Sequence, residues 1–306
     1  MKEYLVTGGA GFIGSALAKH LLEKNNHVTI IDNLSTGFRE NIPDNADFIK
    51  GNCQDQEIYK SLHKKFDAIF HIAGQSSGEI SFDDPVYDLQ TNTQSTLLLL
   101  DYAVKTSCKR FLYASSMSVY GEQPDIPVAE DRRCNPKSFY GIGKIASEHY
   151  LRLYQELGVQ STALRLFNVY GPGQNMKNMR QGMVSIFIAM AIQDKHIVVK
   201  GSTERFRDFV YIDDVVDAFI ECEKSPNTNG NVYNIATGVK TDVRNLLENL
   251  VKLFPYDVSI ETSGNTPGDQ FGIFSSIDLV MDHTDWRPKV SLENGLSKMV
   301  KYYLNE

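Results

Sequence analysis

A chain of 306 residues, 42% apolar and 23% charged, carries enough material for a large buried core and has the balance of an ordinary water-soluble enzyme. A formal net charge of −7 with no lysine- or arginine-rich block argues against a nucleic-acid partner, and the longest aliphatic stretch, 183–192, is too short to span a bilayer. Four scattered cysteines (Cys53, Cys108, Cys134, Cys222) and a start that enters a strand almost at once predict reduced thiols, no metal site, no leader and a cytoplasmic location.

The first apolar run, 4–6, leads into Thr7-Gly8-Gly9-Ala10-Gly11-Phe12-Ile13-Gly14, and the residues after it repeat at helical spacing. A glycine turn between a buried strand and a helix N-terminus is a phosphate site. Amide groups and the helix dipole point at the anion, and the missing Cβ atoms let it approach. A second run, 27–31, ends in Asp32, eighteen residues beyond Gly14. A carboxylate there accepts hydrogen bonds from ribose hydroxyls and repels a 2′-phosphate, while Asn33-Leu34-Ser35-Thr36 offers no arginine to receive one. The expected cofactor is therefore NAD rather than NADP.

Further strands are expected at 47–50, 66–71, 110–114 and 161–166, alternating with helices at 56–65, 85–106 and 140–157. That rhythm implies parallel βαβ units in a Rossmann doubly wound α/β fold, over 1–170. After Gly171 the segments shorten, with helices near 183–193, 214–223, 243–253 and 292–303. This second part, 171–306, reads as a smaller mixed α/β substrate-binding cap, from which some late segments return to the sheet. Ligand-bearing loops should gather at the carboxyl ends of the strands.

Tyr140 and Lys144 lie four apart on an expected helix, so they share a face, and Ser138 suits its N-cap. A phenol near pKa 10 becomes a usable base when an ammonium favours its phenolate. Ser116, at a strand end facing this helix, is placed to bond the same substrate hydroxyl. The set fits proton removal from an alcohol while hydride moves to or from a nicotinamide. In isolation, Tyr and Lys at this spacing are commonplace; their position behind a dinucleotide loop gives them meaning.

The motifs in series are specific. Gly8-x-x-Gly11-Phe12-Ile13-Gly14, Asp32-Asn33-Leu34-Ser35-Thr36-Gly37, Ser115-Ser116-Met117-Ser118-Val119-Tyr120-Gly121, Ser138-Phe139-Tyr140-Gly141-x-x-Lys144 and Arg207-Asp208-Phe209-Val210-Tyr211-Ile212-Asp213-Asp214 together resemble the extended short-chain dehydrogenase/reductase family. The nearest likeness is to its nucleotide-sugar epimerases, nearly end to end. The resemblance implies Tyr140 as catalytic base, Lys144 on the nicotinamide ribose and Ser116 at the sugar hydroxyl. It places the first two motifs around NAD, Asn52 and Cys53 at the adenine edge, Ala73, Gly74, Gln75 and Asn92 along the cofactor, with Ala114 and Ser115 also in contact, and Phe167 beside the nicotinamide. On the substrate it places Gln75, Ser76, Ser116, Tyr140, Met183, Val184 and Asp269, with Asn168 and Arg207 at the diphosphate. It also implies a homodimer formed through the helices 85–106 and 140–157.

Two departures stand out. Thr266 occupies a position where the family usually carries arginine, which removes one diphosphate contact, and the segment 75–82 is not the common form beside the sugar. The expected activity is epimerisation of a nucleotide-diphosphate sugar at C4 through a transient ketone, with NAD kept throughout. A 4,6-dehydratase needs an acid pair after the catalytic serine, where this chain has Met117 and Ser118. A 4-ketoreductase or a 2-epimerase stays open. A non-catalytic NAD-sensing regulator would need only the glycine loop, not an intact Tyr140/Lys144/Ser116 set.

Overall fold

The computed structural model describes residues 1–62, 64–264 and 270–304. In the first half, short buried runs form strands β1 (Glu3–Thr7), β2 (His27–Asp32), β3 (Asp47–Lys50), β4 (Ala68–His71), β5 (Arg110–Ser116) and β6 (Gln160–Leu166), all parallel. Later come β7 (Asn168–Tyr170), β8 (His196–Lys200), β9 (Phe206–Arg207), β10 (Phe209–Tyr211), β11 (Val232–Ile235), β12 (Thr241–Asp242) and β13 (Ser259–Ser263). The main sheet has seven strands in the order β11-β6-β5-β4-β1-β2-β3. The chain winds outward from β1 through β2 to β3 and then restarts at β4 on the other side of β1. That reversal opens a crevice between the carboxyl ends of β1 and β4.

Both faces of the sheet are covered, as an all-parallel sheet requires. Side chains alternate along each strand. Leu5, Ile31, Ile69 and Phe111 pack with Leu99, Leu100 and Ala103, whereas Val6, Ile30, Phe70 and Leu112 pack on the opposite side with Leu17, Leu21 and Phe219. The first layer is built from α4 (Ser95–Thr106) and α5 (Phe139–Tyr154), the second from α1 (Phe12–Glu23) and α7 (Ile212–Lys224).

Between α1 and α4 lie α2 (Gln56–Ser61), shorter than the expected 56–65, and α3 (Pro85–Leu89). The helix expected over 85–106 is α3 and α4 joined by a π-helical turn, Gln90–Gln94. Its cause is local. The hydroxyls of Thr91, Ser95 and Thr96 donate to the carbonyls of Tyr87, Thr91 and Asn92, four residues back, and compete with the i→i−4 ladder. The widened turn buries Thr91 and Asn92.

After β7, the chain serves both layers. β11 pairs with β6 at the edge of the main sheet, and β7 pairs with β10. The pairs β8–β13 and β9–β12 form two small separate sheets. Helices α6 (Met183–Asp194), α8 (Val243–Val251) and α10 (Leu292–Leu304) keep close to their expected ranges, and α9 (Asp278–His283) is additional. Among the described residues, no helix is long and apolar enough to cross a membrane.

Candidate active site

Two cavities open above the carboxyl ends of the strands. The first is lined by Gly8, Gly11, Phe12, Ile13, Gly14, Asp32, Asn33, Ser35, Thr36, Gly37, Cys53, Ala73, Gly74, Gln75 and Ser76, among others. Gly8 sits at φ +72°, and a Cβ on Gly14 would lie 2.1 Å from the Gly8 carbonyl oxygen, so the turn admits only glycine at those two points. Gly11 differs. A Cβ there would meet nothing in the protein closer than 3.3 Å, which leaves the space beside it to a ligand. Helix α1 has no side-chain cap and no acid in its first turn, so its amide end faces the cavity ready for an anion. Asp32 is held by the amides of Ala10 (3.0 Å) and Leu34 (2.7 Å), with its carboxylate on the cavity wall. A cradle with an anion site at one end and a fixed carboxylate at the other fits a dinucleotide. Burial pushes the Cys53 thiol up to about 12, so it lines the wall as an inert group.

The helix carrying Tyr140 and Lys144 begins where Ser138 Oγ accepts from the Gly141 amide, 3.1 Å. Lys144 is 3% exposed and donates to the Ala114 carbonyl at 2.9 Å. Its ammonium lies 4.8 Å from the Tyr113 ring centre and 5.5 Å from that of Tyr140. Burial lowers Lys144 to about 8, against the pull of the Asp88 and Glu148 carboxylates. Tyr140 is raised to about 12, chiefly by burial; a hydrogen bond with Ser116 pulls it down and the Asp88 charge pushes it up. The expected lowering of the phenol by Lys144 is not seen in this arrangement; desolvation leads, and the phenol is the resting form.

Beneath this helix lies a buried ion pair. Arg165 binds Glu148 through two hydrogen bonds, Nε to Oε1 at 2.9 Å and a terminal nitrogen to Oε2 at 2.7 Å. Its other terminal nitrogen donates to Tyr120 Oη (2.9 Å) and the Glu130 carbonyl (3.0 Å). Ser115 Oγ also donates to Glu148, so this hydroxyl is engaged by the ion pair. The reason is strand alternation: Ser116 faces the helix end and its neighbour faces the ion pair.

The second cavity is lined by Ser76, Ser77, Glu79, Met117, Ser118, Ser138, Asn168, Met183 and Ile186, and by five cations, Lys137, Arg180, Lys200, Arg205 and Arg207. Arg207 is oriented by the carbonyls of Phe206 (2.7 Å), Gln270 (2.8 Å) and Phe271 (3.1 Å), while Asp208 beside it accepts from Thr237, Gly238 and Ser275. Arg180 spans Glu79 (3.1 Å) and Asp83 (2.6 Å). A cavity with five cations and one carboxylate in its walls is suited to a polyanion. Ser76 and Gln181 line both cavities and are joined by a 2.7 Å hydrogen bond, which marks where the two ligands would meet.

Several expected residues stand back from these walls, and Ala114, Ser116, Tyr140 and Lys144 are among them, all four buried. Asn52 accepts from the Asn33 amide at 2.8 Å, between the lining residues Gly51 and Cys53. Asn92 is buried behind Gly74, its amide donating to the Gln75 carbonyl (3.0 Å) and to Asp88 (3.2 Å). Phe167 is buried against Tyr120. Val184 is buried behind Met183 and lines neither cavity, because successive helix positions point about 100° apart. Asp269 and Thr266 lie outside the described residues. Gln181, Lys200 and Arg205 went unread in the sequence; the only signal was the run of charge Glu204-Arg205-Phe206-Arg207.

The fold matches known proteins. A model of the NAD dependent epimerase/dehydratase family matches residues 4–236. The UDP-glucose 4-epimerase of Mycolicibacterium smegmatis is 34% identical, covering 99% of this chain and 98% of its own. The UDP-glucose 4-epimerase of Thermotoga maritima, solved with UDP-glucose, superposes with a TM-score of 0.95 at 36% identity, over 99% of both chains. That of Thermus thermophilus, solved with NAD, gives 0.92 at 32% identity, again over 99% of both. With the dinucleotide cradle, the buried tyrosine–lysine–serine set and these likenesses together, the chain belongs to the NAD dependent epimerase/dehydratase family.

Proposed function

We propose that the protein epimerises a nucleotide-diphosphate sugar at C4, of the UDP-glucose/UDP-galactose type. The observation that carries this reading is the hydrogen-bonded Tyr140–Ser116 pair beside Lys144, buried behind Met117, Ser118 and Ser138, which line the cationic cavity. The relatives named UDP-glucose 4-epimerase support it.

When bound, NAD supplies a hydride acceptor and a cationic ring that favours an anion nearby. Glycines 8, 11 and 14 with the α1 N-terminus would hold its pyrophosphate, and Asp32 its ribose. Tyr140 Oη takes the proton of the sugar hydroxyl, and Ser116 Oγ holds that hydroxyl in line and passes hydrogen-bond strength between the two oxygens. Lys144 stabilises the phenolate through its positive charge, anchored on the Ala114 carbonyl. In the return direction the phenol gives its proton back to the ketone oxygen, so one residue serves as base and then acid. Arg207 and Asn168, with Lys200 and Arg205 at the same cavity, would hold the diphosphate. Ser76, Gln75 and Met183 would lie beside the sugar.

The reading is tested by incubating the purified protein with UDP-, dTDP-, GDP- and CDP-hexoses without added cofactor. Interconversion of C4 epimers is expected; turnover that depends on added NADPH would contradict it. A homodimer in the cytoplasm completes the proposal. Its support is the exposed apolar face of Val86 (66%), Leu89 (56%) and Ile142 (52%) on α3 and α5, and the four free thiols. Sedimentation should give twice the 34.4 kDa chain mass, and a monomer at micromolar concentration would remove that element.

A further inference from the structure

Asp88 is a carboxylate that no step above uses. It sits on α3, is 1% exposed, and accepts at Oδ1 from Gln75 Nε2 (2.8 Å) and Asn92 Nδ2 (3.2 Å). Its Oδ2 is buried with no hydrogen-bond partner. A charge in that position needs a counter-charge, since desolvation is otherwise uncompensated.

The surrounding titratable groups narrow the choice. Tyr140, Lys144 and Glu148 face this region from α5, Tyr113 from β5 and His71 from β4. His71 is fully buried and lowered to about 3, by desolvation first and then by Lys144, so it is neutral. Glu148 has both oxygens engaged by Arg165. Lys144 is therefore the cation left for Asp88, and Asp88 the carboxylate left for Lys144.

Two glycines set how near they lie, and the two charges face each other without a direct ion-pair contact. A Cβ on Gly143 would lie 3.5 Å from Asp88 Oδ2 and 3.3 Å from the Asn92 Cβ, so α5 packs closely against α3 and the π turn at this point. A Cβ on Gly74 would lie 2.4 Å from Asn92 Oδ1 and 3.6 Å from Lys144 Nζ, so Lys144 and the Asn92–Asp88 pair converge behind the cofactor wall.

We propose that Asp88 is a positioning residue for the reaction, the buried counter-ion that keeps Lys144 an ammonium beside Tyr140 while its Oδ1 fixes Gln75 and Asn92. The proposal rests on the epimerase reading only for its kinetic consequence.

Asp88→Asn separates charge from shape, because the asparagine oxygen still accepts from Gln75 and Asn92. In the wild type, turnover is expected to fall as pH rises through the range in which Lys144, lowered to about 8, loses its proton. With the Asp88 charge gone, burial acts on Lys144 with less opposition, and the midpoint of that fall moves down by about one pH unit. An unchanged midpoint would mean that Asp88 only fills space, and would overturn the proposal. A melting-temperature cycle with Lys144→Met gives an answer independent of activity. Lys144→Met strands the Asp88 charge, so the double variant Asp88→Asn/Lys144→Met melts above Lys144→Met alone. A double variant that melts lower than Lys144→Met, or that fails to fold where Lys144→Met folds, overturns the counter-ion role. Should Asp88→Asn not fold alone, that comparison still decides. If no sugar nucleotide is turned over, the epimerase reading fails while the melting cycle still reports on Asp88 and Lys144.

Discussion

Tyr140→Phe should lower turnover by about 10²–10⁴-fold while the protein keeps its NAD. The substitution removes one oxygen from a ring that is otherwise held by packing. Helix α5 is capped by Ser138, not by the phenol, and Lys144 is anchored on the Ala114 carbonyl. The cradle of glycines and Asp32 lies on β1, α1 and β2, and none of its contacts runs through Tyr140. Without the hydroxyl, Ser116 and the substrate have no acceptor of sufficient basicity for the proton. The measurement pairs initial rates with the NAD released on denaturing the purified variant. Near-normal rates would take Tyr140 out of its role, and loss of NAD together with rate would show a folding defect instead.

The largest stability effect is expected at Glu148. Removing this carboxylate by Glu148→Ala leaves Arg165 charged and buried, a loss of about 3–5 kcal/mol, or a melting temperature lower by about 5–10 °C for a chain of this size. Glu148 also receives the Ser115 hydroxyl, and Arg165 also binds Tyr120, so the damage spreads to the strand end that presents Ser116. The double variant Glu148→Leu/Arg165→Met removes both charges and should recover part of the loss, because the penalty lies in the uncompensated ion rather than in the missing bond. Thermal melts of the single and double variants check this. Equal melting temperatures for wild type and Glu148→Ala would mean that water reaches Arg165 and the pair is not dry.

What the sequence revealed follows from the range of each interaction. The glycine turn, Asp32 and the Tyr140/Lys144 spacing are local patterns, in which a strand end, a helix N-terminus and a helix face are set by a few adjacent residues. Less was visible wherever a polar residue owes its burial to distant packing. Asp88 and Glu148 sit in helices whose sequences look solvated, and only the contact of α5 with α3 and β6 makes them interior charges. The π turn is local too, but Thr91, Ser95 and Thr96 have acceptable helix propensity, and propensity does not tell whether their hydroxyls bond back to the main chain. Val184 is adjacent to Met183, which lines a cavity, but adjacency in a helix is a turn of about 100°.

The central claim is that one carbon of the sugar is oxidised and reduced again without the hydride leaving the protein. Its most direct test is a nucleotide hexose carrying deuterium at C4, incubated in ordinary water with no added cofactor and quenched before equilibrium. The account predicts that the C4 epimer forms with the deuterium still at C4. Epimer formed with hydrogen at C4, or label appearing in a released cofactor, would contradict it.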